Sequence, residues 1–260
     1  IFKIDVTQPH PSPDHSVILV SSSTVSSGSE VMLTLRAKDS QGNDILGGGA
    51  AVAFNYMGGS STGQITQAID RGDGVYYAMF RAITAGTPTT ITAYANGVAV
   101  TSTAPTLRVD PGPVSLLESG VELSAASAIS GTTVNVTLTT RDSRGNRLTR
   151  GGERVSFTRS GGTSTGDFSV TTDNNDGTYS ATFTTIKSGT PTTFGAMING
   201  VATTSLGPTL RVLPGIVAPG KSYVEIIDND GSVGAGSPVQ FRLVTRDTAE
   251  NQLTTGGLNV

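Results

Sequence analysis

The chain repeats itself in register. Asp39-Ser40 is followed by Gly42-Asn43 and Gly48-Gly49, and the signature returns 103 residues later (142 − 39) as Asp142-Ser143, Gly145-Asn146 and Gly151-Gly152. The spacing holds for Asp73-Gly74 and Asp176-Gly177, Pro88 and Pro191, Asn96-Gly97 and Asn199-Gly200, and Pro111-Gly112 and Pro214-Gly215. A third copy begins with Arg246-Asp247, Asn251 and Gly256-Gly257, shifted by 105 residues from Asp142 (247 − 142). A period this long belongs to a globular domain; a solenoid unit runs about 20 to 50 residues. The expected organisation is a leading segment over 1–13, one module over 14–111, a second over 112–215 and a partial third over 216–260.

Within each copy, apolar residues alternate between turn signals. In the first copy, Val17–Val20 is a strand, and Val31, Leu33, Leu35 and Ala37 share one face of the next. A third strand is expected over 50–56, a fourth over 64–69, and a fifth over 75–82 with Tyr76, Ala78 and Phe80 in phase. Residues 89–95 follow, then Asn96-Gly97 as a two-residue hairpin turn, then a last strand over 98–109 broken near Pro105. The second copy matches strand for strand. Its opposite face drifts, with Ser156 for Ala53 and Ser180 for Tyr77, as when one side is buried and the other wet. Period-two alternation with turns every 8 to 12 residues is the pattern of an all-β immunoglobulin-like sandwich. The fold expected is thus two complete sandwiches and one partial, in tandem, with short Pro-Gly joints that favour an elongated rod. About 45 residues of the third copy do not close a sandwich, so later chain or a neighbour is expected to complete it.

Composition narrows the function. Net charge is −3 with 14 % charged residues and no basic stripe, which argues against nucleic-acid binding. There are no cysteines, hence neither disulfides nor thiolate chemistry, and no apolar run reaches the length of a membrane span. Both histidines, His10 and His15, precede the first core strand, so no Ser-His-Asp arrangement is available inside a module. No enzyme activity, cofactor or metal is expected.

These residues resemble filamin-type immunoglobulin repeats: Arg141-Asp142 with Gly145-Asn146, Gly151-Gly152, Asp176-Gly177-Thr178-Tyr179, Gly189, Asn199-Gly200 and Pro214-Gly215. Lys38 replaces the Arg in the first copy, and Glu250-Asn251 replaces Gly-Asn in the third. The chain is also similar to bacterial invasin-type immunoglobulin-like repeats. Where filamins close on Gly-Ser-Pro-Phe, it has Ala104-Pro105-Thr106-Leu107 and Gly207-Pro208-Thr209-Leu210. The filamin resemblance implies that a partner strand adds at the edge of strands three and four, on Ala51, Val52, Ala53, Phe54, Ile65 and Ile69, and on Val155, Phe157, Phe168 and Val170.

Several short motifs compete with plain turn chemistry. Arg71-Gly72-Asp73 spells an integrin-type tripeptide, but Asn174-Asn175-Asp176 stands in its place in the second copy. Asp173–Gly177 and Asp228–Gly231 resemble calcium loops, yet position twelve is Thr184 or Val239 where a calcium loop needs an acid. Asn135-Val136-Thr137 is a glycosylation sequon. Tyr76 and Tyr179 follow Asp-Gly as in a tyrosine corner. The expected function is a structural, non-enzymatic spacer of an extracellular fibre or surface adhesin. Its partners would be other proteins or its own copies, with glycans allowed. An intracellular scaffold of the cytoskeleton or a cilium is the alternative.

Overall fold

The computed structural model describes residues 10–227 and 233–257. The Asp228–Gly231 motif lies outside the described residues. By internal contact the chain divides into two units, Ile1–Val114 with Arg141–Arg147, and Ser115–Thr140 with Leu148–Val260.

The first unit is a β-sandwich. Its strands are β1 (Val17–Val20), β2 (Thr24–Ser26), β3 (Glu30–Arg36), β4 (Val52–Met57), β5 (Thr62–Ile65), β6 (Ile69–Asp70), β7 (Val75–Thr84), β8 (Thr89–Ala95), β9 (Val98–Ala99) and β10 (Thr106–Asp110). One sheet runs β1-β3-β7-β5 with β6 also on β7; the other runs β2-β10-β8-β4 with β9 on β8. All pairs are antiparallel except β2 with β10, where Thr24, Val25 and Ser26 lie beside Arg108, Val109 and Asp110. The second unit repeats the order with β11 (Gly120–Leu123), β12 (Ser127–Ile129), β13 (Thr133–Thr139), β14 (Val155–Ser160), β15 (Thr165–Phe168), β16 (Thr172–Asp173), β17 (Thr178–Lys187), β18 (Thr192–Ile198), β19 (Val201–Ala202) and β20 (Thr209–Leu213). It also holds the start of the third copy, a hairpin of β21 (Tyr223–Ile226) and β22 (Phe241–Val244).

The alternation read in the sequence is what buries the core. Leu33, Leu35, Tyr76, Phe80, Ile91, Leu107 and Val109 are sealed between the first pair of sheets, and Val136, Leu138, Tyr179, Phe183, Phe194, Leu210 and Val212 between the second. The second core is built on rings: Phe183 and Phe194 meet edge to face at 4.9 Å, and Phe168 lies 4.9 Å from Phe183. Such pairs add about 1 kcal/mol beyond burial. On the wet face, Leu19 and Met32 of the first sandwich are both exposed, while Glu122 and Asn135 stand in register in the second.

Two strand expectations need correction. The fourth strand over 64–69 is two pieces, β5 and β6, both on β7, with a register shift at Thr62/Gly63. Gly63 permits the close approach there, because a Cβ would sit 2.5 Å from the Arg81 carbonyl and the Phe80 ring. The short parallel strands β2 and β12 were not anticipated; with one apolar inward residue each, Val25 or Ala128, they give no periodic signal. The turns fall as expected. Asn96 and Gly97 have φ 51° and 82°, and Asn199 and Gly200 have φ 52° and 84°, the positive pair that a type I′ hairpin requires.

Candidate functional site: an Asp–Asn turn and its socket

The Asp-x-x-x-Asn turn occurs three times with one internal geometry. In the turn Asp247–Asn251, the Asp247 amide donates to the Asn251 carbonyl at 2.9 Å, and the Asp247 Oδ1 accepts the amides of Ala249 at 2.9 Å and Asn251 at 2.8 Å. Asp142 does the same with Arg144 and Asn146, and Asp39 with Gln41 and Asn43. The fourth residue of the turn takes positive φ, which suits Gly42 and Gly145 at 82°. In the third copy Glu250 holds that conformation at φ 65°, tied to Lys221 at 2.8 Å.

Two of these turns seat in a socket at the end of a sandwich. In the second unit, the Asn251 side-chain Nδ2 donates to the Ile186 carbonyl at 2.8 Å and to Ser130 Oγ at 3.1 Å. Its Oδ1 accepts the Ser188 amide at 2.9 Å, and the Asp247 Oδ2 accepts the Gly215 amide at 2.7 Å. In the first unit, Asn146 donates to the Ile83 carbonyl and to Ser27 Oγ, both at 2.9 Å. Its Oδ1 accepts the Ala85 amide at 2.9 Å, and the Asp142 Oδ2 accepts the Gly112 amide at 2.8 Å. The sockets correspond residue for residue: Ser27 and Ser130, Ile83 and Ile186, Ala85 and Ser188, Gly112 and Gly215.

This explains the Pro-Gly motif more sharply than a stiff joint does. A Cβ on Gly112 would lie 2.9 Å from the Ser27 carbonyl, and one on Gly215 would lie 3.2 Å from the Ser130 carbonyl. Both aspartates are buried, at 1 % and 2 % exposure. Burial pushes their carboxyl pKa values up, but the Gly112 or Gly215 amide and the turn's own donors outweigh it, and both are held below the ordinary 3.8. The charged turn therefore contributes in full above the unfolded carboxyl pKa, and that contribution is lost as pH falls through the lowered value.

Sequence reasoning took these residues as turn formers and missed the socket. The signal was the pairing of Asp and Asn four residues apart in every copy; their partners, Ser27 and Ser130, lie more than a hundred residues away. We expect Asn251→Ala to open the socket locally by about 2 kcal/mol, since the Ser188 amide and Ile186 carbonyl lose their partner. Amide exchange at Ser188 in the full chain measures this; unchanged exchange would discount the bonds.

The remaining candidates serve the fold or stand apart. Asp70 Oδ2 accepts the Gly49 amide at 2.6 Å and Asp173 Oδ2 the Gly152 amide at 2.8 Å, which assigns Asp173 to a structural staple. Gly48 and Gly151 are glycines because a Cβ would strike those carboxylates at 2.4 and 2.1 Å. Arg71, Gly72 and Asp73 are exposed, and Asp73 Oδ1 accepts the Val75 amide at 3.2 Å, as a turn aspartate does. No cluster of three potential metal ligands occurs among the described residues. His15 Nδ1 contacts Ser12 Oγ at 3.2 Å, and His10 is exposed. Asn135 lies exposed on β13, a strand paired on both sides.

The proposed strand-addition residues divide into groups. β4 and β14 are sheet edges, and Ala51, Val52, Ala53 and Phe54 lie on or beside β4. Val155 and Phe157 are on β14, but Phe157 is buried and stacks on Phe168 at 6.1 Å, so both rings belong to the core. Ile65 is on β5, Ile69 on β6, and Val170 falls between β15 and β16 with 90 % exposure.

A repeated immunoglobulin-like sandwich, with a carboxylate–amide turn seated within each unit, defines a class of structural module. The sequence matches the family described as invasin, domain 3, over residues 12–109 and again over 116–213, and the chain belongs to that family. Of the two resemblances, the family match supports the invasin-type repeats. Among solved structures, the chain is similar to the Escherichia coli adhesin FdeC, with 21 % identity over 95 % of this chain and 78 % of that one, and a TM-score of 0.57. It is also similar to Yersinia pseudotuberculosis InvD, with 19 % identity over 92 % and 72 % and a TM-score of 0.51. For invasin, a bacterial integrin-binding protein, the values are 19 % identity, 91 % and 49 %, and 0.52. Among curated proteins no sequence matches the chain closely enough to count as a relative.

Proposed function

We propose that this chain is a non-enzymatic run of spacer modules in a bacterial surface adhesin. The observation that carries the reading is the seated turn: Asp247 and Asn251, from the third copy, are bonded into the end of the second sandwich. A module whose recurring polar turn is bonded into a sandwich end acts by geometry. Membership of the invasin domain 3 family supports an extracellular, cell-surface setting and protein partners. The intracellular scaffold is not favoured, since the family match is to invasin-type repeats. Self-assembly through the edges of β4 and β14 stays within this reading as a route to fibres. The module boundaries near residues 14, 112 and 216 are proposed on the same footing.

Antibodies raised against the chain are expected to label intact, unpermeabilised cells that make the full-length protein. Labelling only after permeabilisation would reject the surface assignment.

A further inference from the structure

The first copy carries the same turn, and among the described residues nothing seats it. Asn43 Nδ2 donates to Asp39 Oδ2 at 3.2 Å, and Asp39 Oδ1 accepts the Gln41 and Asn43 amides, both at 2.9 Å. Asn43 is exposed and Asp39 half-buried, whereas Asp142, Asp247 and Asn251 are buried. No bond joins Asn43 to a socket serine, carbonyl or amide among the described residues. The turn is thus already folded into the shape that its two counterparts use, with its outward donors and acceptors facing solvent.

The geometry points to a docking site on this turn for the end of another module of the same type. The occupant is a sandwich end that offers a serine hydroxyl, a strand carbonyl and a strand amide, as Ser130, Ile186 and Ser188 do for Asn251. A second observation comes from the sequence alone. Ile4 and Val6 stand 103 residues before Leu107 and Val109, which are the inward residues of β10, so residues 1–9 carry a last-strand pattern in the right register. In the sequence Pro9 stands 103 residues before Gly112, and a proline has no amide hydrogen to offer as the counterpart of the bond that Asp142 receives from Gly112. Specificity at this position then falls on Asn43. The inference rests on the reading of the seated turns as coupling elements.

The test is a double-mutant cycle in a chimera whose residues 1–9 are replaced by a second copy of residues 113–215, which places Gly215 directly before His10. Asn43→Ala and Ser130→Ala in the upstream copy are combined, and unfolding constants are read in urea. Seated contact predicts non-additivity of about threefold or more. In the original chain Asn43→Ala alone is expected to change the constant by less than about twofold, as for a surface site. The resident pair Asn251→Ala with Ser130→Ala is measured in the same chain. Coupling there with additivity at Asn43 overturns this inference alone; additivity at both overturns the coupling reading as well. A second arrangement, with residues 10–112 as the upstream module and Asn43 paired with Ser27, guards against misfolding of the first. Failure of both to fold also counts against the inference.

Discussion

Replacing Tyr179 by Ala is expected to destabilise the second sandwich by about 4 kcal/mol. The ring is 1 % exposed and sits among the largest buried side chains of its core. Its hydroxyl accepts the Glu153 amide at 2.9 Å, which fixes the start of β14, and Tyr76 accepts the Ala50 amide at 3.1 Å in the same way. Burial pushes the Tyr179 phenol up, so it stays neutral through the physiological range. Most of the loss is the cavity; Tyr179→Phe, which keeps the ring, is expected to cost only about 1 kcal/mol. Hydrogen exchange on β13 and β17 peptides, with β3 and β7 as the internal reference, separates the two variants. A cost below about 1 kcal/mol for Tyr179→Ala would contradict the packing described.

Gly177→Ala comes next, at about 3 kcal/mol, because two penalties fall on one residue. Its φ is +82°, and a Cβ would lie 1.9 Å from the Leu148 carbonyl. Gly200 has φ +84° with nothing within 4 Å of its Cβ, so Gly200→Ala isolates the backbone strain, at about 1 kcal/mol. The difference between the two variants is the collision with Leu148. Equal costs, by exchange on β17 for one and β18 for the other, would remove steric approach as the reason for the Asp-Gly motif.

Legibility in the sequence followed the length scale of each interaction. Leu33, Leu35, Tyr76 and Phe80 were readable because period-two burial repeats within one strand. Asn96-Gly97 was readable because two adjacent residues set the turn. Val25 was not, since one buried residue in a three-residue strand carries no period. Asp70 reads as a turn former and Asp173 as part of a calcium-like turn, because the glycines they hold lie 21 residues away. The socket was hidden for the same reason. Ser27 and Ser130 are ordinary serines until folding brings Asn146 and Asn251 against them.

The parallel pairing of β2 with β10 bears on how a module meets tension. Thr24–Ser26 lies near the start of the first sandwich and Thr106–Asp110 at its end, and the two point the same way. Traction on the two ends of that sandwich drags these strands past each other lengthwise, so their cross-links are strained together instead of being peeled off singly. The same holds for β12 and β20, where Ser127–Ile129 runs beside Arg211–Leu213. A few short bonds at the seam of each sandwich thereby resist pulling as one.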